Sequence, residues 1–282
     1  MTRLLPTCLV VGATLALASC SAIDIVYNNA PSFVGGEIED ALDLDDEQRA
    51  QLDARLQRSF DWHRQQELAR YRVMLNDAAL AIEDGISAEE YLAIYNDVHA
   101  AWERSLLRLI DDLHGLTAIL TPAQIDSYDQ YFRERSEKYQ DYLEMSPQQR
   151  EIFNTTQAIE QLEDWTGKLE DLQLEKITAR LRQLPQRRMA WIYFREARHQ
   201  ALIAALRKAP GKGLSVQQLQ YILLDNASEY ARVYEPQRIA YYQAYAQMIE
   251  EVSGWLNKAQ IAHAVERMRE FEEIVVELQQ NG

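Results

Sequence analysis

The chain has 282 residues, and its acidic side chains outnumber the basic ones, which gives a formal net charge of −15. This charge argues against nucleic acid as a partner, because phosphate binding needs clustered Lys and Arg. It also argues against a body that lies flat on anionic head groups. Glycine and proline are scarce, at 10 and 7 residues, so the composition predicts an all-α fold, for which we expect seven to eight helices.

Residues 1–20 have the organisation of a lipoprotein signal peptide. Arg3 supplies a positive charge, and the apolar stretch 4–18 is shorter than the ~20 residues that a membrane span needs. We therefore interpret it as a secretion signal that is removed. The run Leu17-Ala18-Ser19-Cys20 resembles a bacterial lipobox, which implies that Cys20 is lipidated, with diacylglycerol on its sulfur and a further acyl chain such as palmitate on its amine. The alternative is an ordinary secreted protein with a chance Cys20.

The residues around this junction refine the expected location. In the lipoproteins that the leader resembles, an aspartate after the acylated cysteine retains the protein at the inner membrane, so Ser21 implies transfer to the outer membrane. Cys8 leaves with the leader, so Cys20 is the single cysteine of the mature chain. A disulfide, a cysteine nucleophile and a cysteine-ligated metal are therefore not expected.

The first predicted elements after the leader are a tether and a long helix. We interpret 21–40 as a tether that docks onto the body, since Tyr27-Asn28-Asn29-Ala30-Pro31 and Gly35-Gly36 are typical of turns. No Gly or Pro interrupts Asp45 to Asp84, where apolar residues recur at helical spacing. This pattern predicts one helix of ~60 Å if it is unbroken.

Three further helix starts carry a capping box, in which a hydroxyl side chain is followed three residues later by Glu or Gln. The two side chains satisfy free N–H groups at a helix N-terminus, and Pro at the first helical position strengthens two of them. The pairs are Ser87 with Glu90, Thr121 with Gln124, and Ser146 with Gln149. Each pair predicts the start of a helix.

The second half of the chain repeats the order of these signals. Leu169 to Gln173 parallels Leu44 to Gln48, Gly213 to Gln218 parallels Gly85 to Glu90, and Leu256 to Ile261 parallels Leu120 to Ile125. We predict two copies of a three-helix unit, about 42–139 and 169–275, joined by a connecting helix at 146–166. The chain then divides into a first half with that helix, 41–168, and a second half, 169–282. The alternative is that capping boxes simply recur in helical proteins.

No residue group spells out a reaction. The five histidines show no metal-ligand spacing, and no Gly-x-Ser-x-Gly elbow is present. His63 with Glu67, and His99 with Glu103, are four residues apart, and such pairs are most often ordinary helix interactions. We expect no metal, no cofactor and no catalytic residue, and predict that the protein is not an enzyme.

Two polar breaks interrupt apolar helical rows, each soon after a tryptophan, Trp62 or Trp191. One interpretation is a polar groove repeated by the duplication, and the other is a solvated stretch where the helix leaves the core. The candidate groove residues are His63, Arg64, Glu67, Arg195, Arg198 and His199. The 15 tyrosines leave a similar choice, since tyrosine suits both binding grooves and thin helical layers.

The leader, Tyr27 to Pro31, Leu42 to Gln48 and Asp164 to Gly167 together resemble an uncharacterised family of Gram-negative lipoproteins with an all-helical domain of unknown function. That resemblance spans most of the mature chain and implies no activity. Leu120-Thr121-Pro122-Ala123-Gln124 is similar to the Leu-Thr-x-x-Gln motif of the small Spy/CpxP-type periplasmic chaperones, which are helical cradles for unfolded envelope proteins.

These observations favour an outer-membrane lipoprotein that faces the periplasm. Its lipid anchor contacts the membrane, and its expected role is non-catalytic binding or scaffolding of an envelope protein partner. One alternative is a periplasmic chaperone that holds unfolded envelope proteins, and a more remote one is an envelope or peptidoglycan-acting enzyme.

Overall fold

The computed structural model describes residues 26–224 and 231–280, and every regular element in these ranges is a helix. The predicted all-α class is confirmed, but the predicted seven to eight helices are wrong, since these ranges contain eleven α-helices and one 3-10 helix. The α-helices are α1 (Ala30–Leu42), α2 (Asp46–Gln66), α3 (Leu68–Asp84), α4 (Ala88–Leu113), α5 (Pro122–Glu144), α6 (Pro147–Thr166), α7 (Asp171–Leu181), α8 (Arg188–Lys208), α9 (Val216–Leu223), α10 (Ala231–Ser253) and α11 (Lys258–Gln280). The 3-10 helix, His114–Ala118, follows α4.

The long helix predicted from Asp45 to Asp84 is divided at Glu67, which explains part of the higher count. The side chain of Glu67 is fully buried and bound by Arg104 of α4. Glu67 N still donates to the His63 carbonyl, and Tyr71 N donates to the Glu67 carbonyl. The backbone N–H and carbonyl of Glu67 therefore keep their hydrogen bonds at the division. The hydrophobic pattern of the sequence does not indicate where the helix divides.

The predicted capping boxes are confirmed. Ser87, Thr121 and Ser146 each accept from the backbone N–H three residues on, and the side chain of Glu90, Gln124 or Gln149 accepts from the N-cap N–H. The same geometry begins α2, α7 and α9. Because this signal is local, it places these helix starts where the sequence predicts them.

Of the turns predicted in the segment 21–40, one remains at Asn29, whereas residues 26–28 are helical and α1 includes Gly35 and Gly36. Pro31 lies in the first turn of α1, which needs no N–H from it. Gly35 is buried where α1 meets α2, and a Cβ there would stand 2.9 Å from Asp53 Oδ1. The glycine therefore serves close approach between helices. Cys20 and the leader lie outside the described residues.

Helices from both halves of the chain share one set of contacts. α3 packs along α11, α4 along α10, and α5 against α8. One buried cluster combines Ile110 and Ile125 with Ile203, and another combines Leu68 with Leu278. Since each fully buried Leu or Ile contributes about 1.5–3 kcal/mol, these clusters hold the two halves together.

A pair of buried glutamines joins two helix starts in the first half. Gln48 Nε2 donates to Gln124 Oε1 at 3.1 Å and to the Ile119 carbonyl at 2.9 Å. Gln124 Nε2 donates to Gln48 Oε1 and to the Asp43 carbonyl at 3.0 Å. Each amide oxygen also accepts from the N–H of its own N-cap residue.

The second half contains the same arrangement atom for atom. Gln173 Nε2 donates to Gln260 Oε1 at 2.8 Å and to the Trp255 carbonyl at 2.7 Å. Gln260 Nε2 donates to Gln173 Oε1 and to the Lys168 carbonyl, both at 2.9 Å. Both oxygens again accept from an N-cap N–H.

Candidate functional site

His63, the first predicted groove residue, lies between two tyrosine hydroxyls. Its Nδ1 is 2.8 Å from Tyr27 Oη, and its Nε2 is 3.1 Å from Tyr71 Oη. Burial lowers the pKa of His63 and raises the pKa of Tyr27 to about 12. The three rings therefore form an uncharged hydrogen-bonded row at neutral pH, and that row holds the N-terminal segment against α2 and α3.

Arg64 ties the same segment to the end of the chain. Its guanidinium donates to the Leu278 carbonyl at 2.7 Å and to Asn28 Oδ1 at 2.6 Å, and it lies 4.9 Å from the ring centroid of Tyr27. Leu278 belongs to the last turn of α11, where carbonyls lack partners within the helix and a cation is favourable. Arg64 therefore caps that helix.

Glu67 is fully buried and held by two hydrogen bonds. Arg104 Nε donates to Oε1 at 2.8 Å, and Arg104 Nη2 donates to Oε2 at 2.7 Å. The hydrogen bonds from Arg104 hold the pKa of Glu67 below its usual range despite its burial. Both carboxylate oxygens are thus committed to a structural pair that joins α4 to the α2–α3 junction.

His199, the equivalent candidate in the second half, pairs with a buried aspartate. Its Nε2 lies 3.0 Å from Asp129 Oδ1, and its ring stacks on Phe132 at 3.6 Å between centroids. Burial lowers the pKa of His199. A neutral ring that donates from Nε2 leaves Nδ1 unprotonated, and Nδ1 has no hydrogen-bond partner among the described residues.

Asp129 is the centre of this second cluster. It accepts from Arg133 at 2.7 Å and from Arg207 at 3.2 Å in addition to His199. Burial alone would raise the pKa of Asp129, but the hydrogen bonds from His199 and Arg133 outweigh it and hold the pKa below its usual range. This carboxylate is therefore a charged anchor between α5 and α8.

Arg195 and Arg198 have partners of different kinds. Arg195 Nη1 donates to Ser136 Oγ at 2.6 Å, and its guanidinium lies 3.9 Å from the ring centroid of Phe132. Arg198 Nη1 donates to the Leu223 carbonyl at 3.1 Å, close to the end of α9. Both side chains thus connect α8 to a neighbouring helix.

The six predicted groove residues therefore fall into two clusters. His63, Arg64 and Glu67 belong to the first, and Arg195, Arg198 and His199 belong to α8 and its neighbours. No hydrogen bond or ring contact within the described ranges joins one group to the other. Sequence reasoning missed Arg104 and Asp129, whose partners lie 37 and 70 residues away. The one local signal was the spacing of Asp129 and Arg133, which many exposed pairs share.

Tyrosine side chains form a seam between α4 and α10. Tyr95 stacks on Tyr242 at 3.9 Å between centroids, and Tyr91 lies 5.6 Å from Tyr245. Burial raises the pKa of Tyr91 and of Tyr245. These rings pack against each other, so the seam holds α4 and α10 side by side, and the two helices form one continuous surface.

Two adjoining depressions mark the outside of this helix pair. Both are shallow and widely open to solvent: one, about 590 Å³, lies between α4 and α10, and the other, about 510 Å³, lies along one face of α10. Gln243 lines both. The first is lined by Ala88, Glu89, Leu92, Ala93, Asn96, Gln243 and Gln247, and the second by Arg232, Glu235, Pro236, Ile239, Ala240 and Gln243. We call them together the α4–α10 groove.

Within residues 26–224 and 231–280, no three His, Cys, Asp or Glu side chains are grouped as metal ligands. His99 and Glu103, the other spaced pair, stand 3.4 Å apart as a surface pair. No described helix is long and apolar enough to cross a membrane.

Comparison with known proteins places the chain in a family without giving it an activity. No curated protein and no solved structure matches it significantly. The model of a family of unknown function, DUF6279, matches residues 40–234, which is more than half of the chain. The protein therefore belongs to the DUF6279 family.

Proposed function

We propose that the protein is an outer-membrane lipoprotein, anchored through Cys20 and facing the periplasm, that binds or scaffolds another envelope protein without catalysing a reaction. The leader and the run Leu17-Ala18-Ser19-Cys20 support the anchor. The observation that carries the binding role is the α4–α10 groove, which is open to solvent and mixes apolar with amide side chains.

The composition of the groove suits a protein segment. Leu92, Pro236 and Ile239 offer apolar contacts, and Ile239 is 45 % exposed. Asn96 and Gln243 offer amide donors and acceptors at the same surface. An amphipathic segment lying between two helices buries such apolar positions and uses the amides at its edges.

The groove carries two carboxylates, of which Glu235 is bound by Arg238 and Glu89 lies in the first turn of α4, while the buried titratable groups are paired elsewhere. His63, His199, Glu67 and Asp129 each pair inside the body, and none of them lines the groove. An acid or base needs a free position within hydrogen-bond reach of its substrate. This arrangement favours binding over catalysis.

We further propose that the body is an internal duplication. The matching bonds of Gln48 with Gln124 and of Gln173 with Gln260 support it. So does the packing, because α1 contacts α2 and α5 as α6 contacts α7 and α11. In this arrangement α6, predicted above as a connecting helix, is the first helix of the second copy.

In-cell chemical crosslinking of the acylated protein, followed by mass spectrometry, tests the proposed role. One or two dominant envelope partners at fixed stoichiometry are expected. Crosslinks to a broad set of unrelated unfolded proteins would contradict the scaffolding role and favour the chaperone alternative. Adducts with glycan strands, together with their turnover by the purified protein, would replace it with the enzyme alternative.

A further inference from the structure

We infer that the N-terminal edge of the body, where the side chains of Val26 and Phe33 are each exposed, rests in the head-group region of the membrane that holds the anchor. The partner of this surface is a lipid surface. The inference rests on the proposed acylation of Cys20 and adds how the body is oriented on the membrane. The membrane contact at this edge is separate from the α4–α10 groove.

The exposure of the two side chains is the first observation. Phe33 is 57 % exposed and Val26 is 47 % exposed. On the same helix as Phe33, Val34 and Ile38 pack against the buried cluster of Leu52 and its neighbours. α1 therefore uses one face for the core and turns Phe33 away from it.

The length of chain between the anchor and the body is the second observation. Only residues 21–25 separate Cys20 from Val26. At no more than ~3.6 Å per residue, six steps place Val26 within about 22 Å of the acylated cysteine. The acyl chains lie in the hydrocarbon layer, so the start of the body is held within that distance of the acylated cysteine and close to the membrane surface.

The chemistry of these residues fits that position. An aromatic ring at a helix surface is favourable at the boundary of head groups and acyl chains. The basic side chain beside them, Arg64, is committed to Leu278 and Asn28. The edge therefore contacts lipid through apolar side chains, and the acidic Glu37, one helical turn beyond Phe33, is paired with Arg135.

The mature chain allows a clean test because its one cysteine, Cys20, is blocked once acylated. Phe33→Cys in the full acylated protein is labelled with the environment-sensitive dye NBD and reconstituted into vesicles of phosphatidylethanolamine and phosphatidylglycerol with brominated acyl chains. Leu172→Cys is the matched control, since Leu172 is 63 % exposed. The control position is also far from the N-terminal edge. Gln173, beside Leu172, binds the first turn of α11, whereas Arg64, beside the edge, binds the last turn, about 27 Å further along that helix.

The dye at position 33 should shift to the blue and lose most of its emission to bromine, while the dye at position 172 should change little. Val26→Cys should repeat the result for position 33. Equal, weak quenching at 26, 33 and 172 in protein whose mass includes the acyl chains would overturn the inference and leave the anchor standing. A mass without acyl chains would refute the anchor itself, and this membrane contact with it.

Discussion

Gln48 and Gln124 exchange side-chain amide hydrogen bonds in the interior, and each of them also closes the capping box of its own helix. One side chain thus begins a helix and joins it to another helix start. Gln173 and Gln260 repeat this relationship in the second half. Such a fully satisfied polar network fixes one arrangement of helices, because any shift leaves buried groups without partners.

Gln48→Leu should destabilise the protein by about 1–3 kcal/mol, since it leaves one N–H of Gln124 Nε2, the Ile119 carbonyl and the Asp45 N–H without their partner. Urea denaturation followed by circular dichroism measures the change. Gln65→Leu, at an exposed site on the same helix, is the control and should stay within about 0.5 kcal/mol.

The double variant Gln48→Leu with Gln124→Leu tests whether the pair acts as a unit. Its cost should be smaller than the sum of the two single costs, because the second substitution removes a group that the first left unsatisfied. Strict additivity would mean that the two amides do not interact.

Gly213→Ala should cost clearly more than Gly211→Ala, although both glycines have φ +69°. A Cβ at Gly213 would stand 2.8 Å from the backbone nitrogen of Ala118, whereas nothing lies within 4 Å of a Cβ at Gly211. The left-handed backbone strain of an alanine costs about 1–2 kcal/mol at either position. The additional loss of stability in Gly213→Ala therefore measures the clash with Ala118. Equal losses in thermal unfolding would show that the 3-10 helix does not pack on this loop.

Arg104→Met should destabilise the fold by about 3–5 kcal/mol, because it strands the carboxylate of the fully buried Glu67. Adding Glu67→Gln should recover part of the loss, since the charge is then gone. Arg72→Met, an exposed site on α3, serves as the control for the lost basic charge. A double variant no more stable than Arg104→Met would contradict this reading of the pair.

Stability should fall as the pH drops below the usual histidine pKa of about 6.5. The folded pKa of His63 and of His199 is lowered by burial. The unfolded chain therefore takes up protons first, and the stability that is present above that pH is lost as the pH falls towards the folded values. Glu67 and Asp129, whose pKa values are also lowered, add a second loss in the carboxylate range.

His199→Gln should reduce the change in unfolding free energy between about pH 7.5 and about pH 5.5 relative to the wild type. An unaltered pH dependence in His199→Gln would mean that this ring is not held neutral by the fold.

Local signals were sufficient for some parts of the structure and insufficient for others. The capping box of Ser87 and Glu90 lies within one turn, so sequence alone places that helix start. The division occurs at Glu67, whose side chain binds Arg104 from 37 residues away, and no local pattern in the sequence indicates it. The prediction of one shared polar groove failed for the same reason. The partners of His63 and of His199 are distant in the sequence, and they place the two histidines in different clusters.

The α4–α10 groove could not be predicted from the sequence for a related reason. Asn96 and Gln247 are ordinary exposed polar residues along the chain, and the packing of α4 on α10, which includes Tyr95 on Tyr242, brings them to one surface. The matching glutamine pairs could be anticipated in part, because Gln48 and Gln173 follow the same short pattern at the start of their helices.

Site-specific photo-crosslinking at Gln243 in living cells tests the proposed binding role most directly, because this residue lines both parts of the α4–α10 groove. A photoreactive amino acid at 243 should capture one or two defined envelope proteins, and the same group at the exposed Gln65 should not. Capture at both positions alike, or at neither, would contradict the assignment of this groove as the binding surface.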